Sequence, residues 1–182
     1  IKDNIELLLK NVKDGDTIYF YYSGHGIPVL PDNEPYILPK DKMPEMIGKD
    51  DFFKLQNIYK MFSDSKAGKV VAFVDSCFSG ATDGVSVIKG VAATRLVPKK
   101  VEFDKTKMVV LTAGKDKQYS NMYEEKGNRL FSYFVMKSLL KGKTNIEDIY
   151  REVYTNVKDE SYKMGDLKIQ EPQIEGNSKL GI

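Results

Sequence analysis

The sequence has one cysteine, one histidine and no long apolar run, and each scarcity removes a class of protein. A single thiol excludes an intrachain disulfide and any zinc cage built from cysteines, though it leaves the redox compartment open. No stretch comes near the ~20 apolar residues that a helix needs to cross a bilayer, so no membrane partner is expected. Charge of neither sign dominates: 28 Lys and Arg against 26 Asp and Glu give a net charge of +2. Such a balance gives no reason to expect nucleic acid as a partner. Phosphate-cradling glycine loops and zinc-ligand spacings are also missing. The chain carries no signal-peptide pattern and opens on Ile1 rather than Met, so its localisation stays unknown.

What is present fits one globular domain over residues 1–182, with 41% hydrophobic and 30% charged residues. Ile1, Ile5, Leu8, Leu9 and Val12 recur at helical spacing, and Asp14-Gly15-Asp16 ends that segment. Thr17 to Tyr22 is a continuous β-branched and aromatic run, the pattern of a strand buried on both faces. Residues 27–44 read as a loop with a short extended piece at Tyr36-Ile37-Leu38. Phe52, Leu55, Tyr59 and Phe62 mark a second helix that Asp50 or Asp51 is placed to cap. Lys69 to Val74 and Met108 to Leu111 are two more buried strands, separated by a long aperiodic stretch from Ala81 to Lys105. Helices are expected at about 130–140 and 146–157, the second with a capping box of Thr144 and Glu147. The tail after Gly165, interrupted by Pro172, offers at most one weak edge strand. Strands alternating with helices imply a parallel sheet covered on both faces, with ligands at the carboxyl ends of its strands.

Gly24-His25-Gly26 follows the first such end and Asp75-Ser76-Cys77 the second. A thiol with a pKa near ~8.5 is only a few per cent thiolate at neutral pH. A neighbouring imidazole can take that proton and later give it to a leaving amine. With one His and one Cys in the chain, His25 and Cys77 are the pair that such chemistry would use. The glycines let backbone approach a substrate carbonyl, and the N–H groups of Gly26 and Cys77 are candidates for an oxyanion hole.

Tyr21-Tyr22-Ser23-Gly24-His25-Gly26 and Val74-Asp75-Ser76-Cys77-Phe78-Ser79-Gly80 together resemble the two catalytic blocks of caspase-like peptidases, metacaspases and their bacterial relatives above all. His25 and Cys77 stand 52 residues apart, which agrees with caspase spacing. The resemblance continues through Pro35 to Pro39, Leu111 to Ser120 and Glu125 to Phe134. It implies a caspase-like three-layer α/β/α sandwich with a mostly parallel sheet. It further implies peptide hydrolysis through an acyl-enzyme on Cys77, with His25 as acid and base, no metal in the chemistry and no cofactor required. The fold of that family has two strands before the one that leads to the histidine. The resemblance therefore implies a missing N-terminal segment, or a partner chain that completes the sheet. Without either, the edge of the first strand would be open and aggregation-prone.

Specificity is expected to follow charge. Asp75 stands where caspases carry a glutamine, and Asp116 aligns with a second acidic pocket residue of metacaspases. Alternation along an extended segment sends Asp75 and Cys77 to one side. Two carboxylates in a half-buried pocket favour a guanidinium or ammonium, so protein or peptide substrates with Arg or Lys at P1 are expected. Asp116 facing solvent in its turn is the other reading of that residue. Lys89, Arg95, Lys99, Lys100 and Lys105 either solvate their loop or offer sites for self-cleavage. Asp50-Asp51 resembles the acidic pair of a metacaspase calcium site, so Ca2+ as an activator is an expectation beside the helix-cap role. The reading from another functional class is a catalytically silent caspase-like module for assembly.

Overall fold

The computed structural model describes residues 1–78, 97–115 and 118–182, with short paired strands at 81–82 and 85–86. Its central sheet has four strands: β1 (Thr17–Ser23), β4 (Lys69–Asp75), β5 (Met108–Thr112) and β6 (Gln173–Gly176). They lie in the order β1-β4-β5-β6; β1, β4 and β5 are parallel, and β6 runs antiparallel at the edge. Helices α1 (Lys2–Asn11) and α2 (Leu55–Ser63) cover one face, and α3 (Leu130–Leu140) and α4 (Ile146–Lys163) the other. This is the expected three-layer sandwich.

The alternation of side chains divides the core in two. Val70, Ala72 and Val74 of β4 with Met108 and Val110 of β5 pack against Ile58 and Phe62 of α2. Val71, Phe73, Val109 and Leu111 point the other way, against Leu130, Phe134, Ile149 and Val153. Because both faces are covered, these strands are unbroken apolar runs. β1 differs. Its Tyr19 and Tyr21 sit opposite Val71 and Phe73 in register but remain half exposed, because α3 and α4 cover β4 and β5 rather than β1.

Two local readings are corrected. Residues 27–38 do not form a loop with one extended piece. They belong to a β-hairpin of β2 (His25–Val29) and β3 (Glu34–Leu38). Pro28 faces Pro35 across the hairpin, so the centre of the ladder lacks two N–H donors, and the sequence there looks unlike a strand pair. Burial of Ile27, Tyr36 and Ile37 holds it instead. The N-cap of α4 is Asn145, not Thr144, with its side chain accepting from the Asp148 N–H. α4 also continues to Lys163, where polar residues are supported by a Lys163–Glu160 pair at 2.7 Å and a Lys158–Glu171 pair at 3.1 Å.

Candidate active site

The site forms where β1 and β4 end. Their parallel register sets Ser23 opposite Asp75, and the Gly24 N–H donates to the Asp75 carbonyl at 3.2 Å. Two residues further along each chain stand His25 and Cys77, so the two leave the sheet at the same level on neighbouring strands. Adjacent strands lie about 4.8 Å apart, which puts the two segments in reach of one another. Gly26 confirms the closeness: a methyl group in place of its hydrogen would lie 2.9 Å from the Cys77 carbonyl oxygen and 2.3 Å from the Phe78 ring. Only glycine lets the two strand ends approach this far.

His25 opens β2 and its ring reaches solvent. Its backbone is held from below by the Tyr22 hydroxyl, which donates to the His25 carbonyl at 2.7 Å and to the Leu38 carbonyl at 3.3 Å. Burial pushes the Tyr22 phenol up to about 12, so that donor keeps its proton. The His25 imidazole is held below the ordinary histidine value, first by the part of it that is buried and then by the nearby Arg129 guanidinium. A neutral ring near pH 7 is the form able to accept a proton.

Cys77 is half-buried. Beyond β4 the alternation continues: Asp75 and Cys77 face the α3 side, while Ser76 and Phe78 face α2. One residue touches both members of the first pair. The Ser120 N–H donates to the Cys77 sulfur at 2.6 Å, and the Ser120 hydroxyl donates to Asp75 Oδ1. The second Asp75 oxygen accepts from the Ser132 N–H at 2.9 Å and from the Ser132 hydroxyl. Tyr21 meets the same hydroxyl at 2.6 Å. Asp75 is fully buried, and burial raises its pKa against the opposing pull of Ser120, Ser132 and Arg129. The neutral donors orient the carboxyl group without cancelling its charge. On the α2 side Cys77 also borders a cavity of about 610 Å³, walled by Leu55, Tyr59, Phe103 and Ile174. Cys77 is thus partly exposed beside that cavity.

Residues 1–180 match the model of the caspase domain, a peptidase family. The chain belongs to the caspase domain family. That family is one of cysteine peptidases. Caspase-1 of Spodoptera frugiperda has a similar fold, with a TM-score of 0.60 at 17% identity, over 98% of this chain and 68% of that one. A protein of Geobacter sulfurreducens has a TM-score of 0.56 at 18% identity, over 94% of this chain and 70% of its own. A probable protease of a Desulfuromonadales bacterium is 30% identical over 74 residues, which is 40% of this chain and 9% of that relative. The matched segment thus spans less than a tenth of that curated relative.

Other expected site residues of this caspase domain fall differently. Asp116, Lys89 and Arg95 lie outside the described residues. Lys99 pairs with Glu34 at 2.5 Å, and Lys100 and Lys105 pair with Glu175 at 3.3 and 2.7 Å. Asp50 caps the short helix Asp51–Phe53 by accepting from the Phe52 N–H, and Asp51 accepts from the Tyr36 hydroxyl at 2.9 Å. Among the described residues no three His, Cys, Asp or Glu side chains converge as a metal-ligand set, and no helix is long and apolar enough to cross a membrane. Ser120, Arg129 and Ser132 were not singled out from the sequence. Ser120 lies 43 residues from Cys77 and Ser132 57 residues from Asp75, while Arg129 joins the site through the Ser120 carbonyl, and no local period marks these positions.

Proposed function

We propose that this caspase domain is a cysteine endopeptidase that cuts after Arg or Lys through a Cys77–His25 pair. The observation that carries the reading is the parallel register of Ser23 with Asp75, which sends His25 and Cys77 off the sheet side by side. In this reading the neutral His25 imidazole takes the Cys77 proton. The sulfur then attacks the scissile carbonyl carbon, and the N–H groups of Gly26 and Cys77 receive the negative oxygen that forms. The imidazolium gives its proton to the departing amine as the C–N bond breaks. Water, deprotonated by His25, then opens the thioester and restores the thiol.

Specificity in this reading comes from the buried Asp75 charge, which neutral hydroxyls orient but do not neutralise. A basic P1 side chain is attracted by that carboxylate, while an acidic one would be repelled. Asp116 is proposed as the second carboxylate of that pocket. The exposed Tyr19 and Tyr21 on the edge strand β1 support a further strand pairing there, from a preceding segment or a partner chain.

The test is turnover of four fluorogenic peptides that differ only at P1, bearing Arg, Lys, Gln or Asp. Cleavage of the Arg and Lys peptides, lost in Cys77→Ala, is the expected result. Preference for Asp would overturn the specificity. A folded wild-type protein that cleaves none of them and resists a thiol-reactive Arg peptide would favour the silent assembly module.

A further inference from the structure

We infer that Ser120 is a positioning residue that ties the acidity of the Cys77 thiol to the buried Asp75 carboxyl group. This rests on the peptidase reading for its consequence in catalysis, but not for its chemistry. Ser120 is 7% exposed and uses all three of its polar groups at once. Its N–H donates to the Cys77 sulfur at 2.6 Å, its hydroxyl donates to Asp75 Oδ1, and its carbonyl accepts from Arg129 Nη1 at 2.7 Å. A donor aimed at sulfur favours the thiolate over the thiol, because hydrogen bonds to charged acceptors are the stronger ones. The serine amide reaches the sulfur because its side chain is fastened to Asp75. Asp75 in turn is fixed from α3 by the N–H and hydroxyl of Ser132. Helix α3, the pocket carboxyl and the sulfur are thereby linked through one residue.

Among the described residues, charged groups approach Cys77 from several elements. His25 comes from β2, Asp75 from β4 and Arg129 from the start of α3. Lys99, Lys100, Lys115 and Glu175 border the cavity on the other side. Lys99, Lys100 and Lys115 are ion-paired with Glu34, Glu175 and Glu171, so their fields at the sulfur are partly offset. Loosening Ser120 removes none of these charged side chains. Loss of its hydroxyl from Asp75 raises that carboxyl's pKa further, an effect that would lower the thiol midpoint and so opposes the expected rise.

The experiment measures alkylation of Cys77, the only cysteine in the chain, by iodoacetamide as a function of pH. Wild type, Ser120→Ala and Ser120→Thr are compared, each first checked for a native circular dichroism spectrum. Ser120→Ala keeps the amide but loses its anchor, and the alkylation midpoint is expected to rise by about one pH unit. The rate near pH 6.5 then falls about tenfold while the rate near pH 10 stays unchanged. Ser120→Thr keeps the hydroxyl and is expected to restore the wild-type profile. Superimposable profiles for wild type and Ser120→Ala overturn the inference, as does a loss that is equal at every pH. A shifted profile in a protein that cleaves no peptide leaves this inference standing and rejects the peptidase reading. Normal cleavage with an unshifted profile does the reverse.

Discussion

Arg129 donates through Nη1 to the Ser120 carbonyl at 2.7 Å, which keeps a permanent cation beside the strand ends that carry His25 and Asp75. Its field lowers the pKa of both, behind burial in the case of His25 and against burial in the case of Asp75. For an imidazole a lowered pKa means that the neutral base survives to lower pH. The acid limb of kcat/KM should therefore fall below 6.5, the ordinary histidine value. Arg129→Gln removes one of the two lowering causes, so the limb should move up while staying below that value, since burial remains. The limbs of a coupled thiol–imidazole pair belong to the pair, so the direction of the shift is the decisive reading. A limb that moves down in Arg129→Gln would contradict the assignment of His25 as base.

Removing either member of the pair should leave the fold and remove the chemistry. Both residues lie beyond the apolar runs of β1 and β4, and neither belongs to the buried core. Cys77→Ala should reduce turnover of an Arg peptide to background. His25→Ala should lower kcat/KM by about 10²- to 10⁴-fold, the usual worth of a positioned acid–base group. Circular dichroism and urea midpoints should match wild type. Undiminished turnover in either variant would be incompatible with the proposed pair.

The fold was legible because β4 and β5 are buried on both faces and write themselves as unbroken apolar runs. The strand ends were legible too, since Gly24-His25-Gly26 and Asp75-Ser76-Cys77 interrupt those runs with chemistry. Alternation correctly sent Asp75 and Cys77 to one side, where Ser120 now touches both. The hairpin of β2 and β3 was hidden because its facing prolines, Pro28 and Pro35, imitate a loop. Ser120, Arg129 and Ser132 were hidden for another reason. Polar contacts between distant segments leave no periodic trace, and a serine in a turn or on a helix has many bland explanations.

The two roles of Asp75, charge and scaffold, can be separated by two substitutions. Asp75→Asn keeps an acceptor for the Ser132 N–H and a group for the Ser120 hydroxyl, so stability should change little. It removes the negative charge, and kcat/KM for Arg at P1 should fall about 10- to 100-fold relative to Gln at P1. Asp75→Ala strands the buried Ser132 N–H and should also cost about 1–3 kcal/mol in urea unfolding. Equal selectivity in wild type and Asp75→Asn would remove Asp75 from the specificity pocket and leave it a purely structural carboxyl.

Gly26 offers the most direct probe of how closely the two strand ends must approach. A Cβ there would lie 2.3 Å from Phe78 Cδ1 and 2.9 Å from the Cys77 carbonyl oxygen, both inside van der Waals contact. The ring can be trimmed; the carbonyl belongs to the backbone and cannot. Gly26→Ala should therefore force β2 away from Cys77, costing about 1–3 kcal/mol as overpacking does, and should lower peptide turnover at least tenfold. In the double variant Gly26→Ala with Phe78→Ala, the clash with the ring is gone but the clash with the carbonyl remains. Stability should recover only in part, and turnover should stay low. Full recovery of turnover in the double variant would mean that the ring alone sets the spacing, and that the close approach of Gly26 to the Cys77 backbone is not needed for the chemistry.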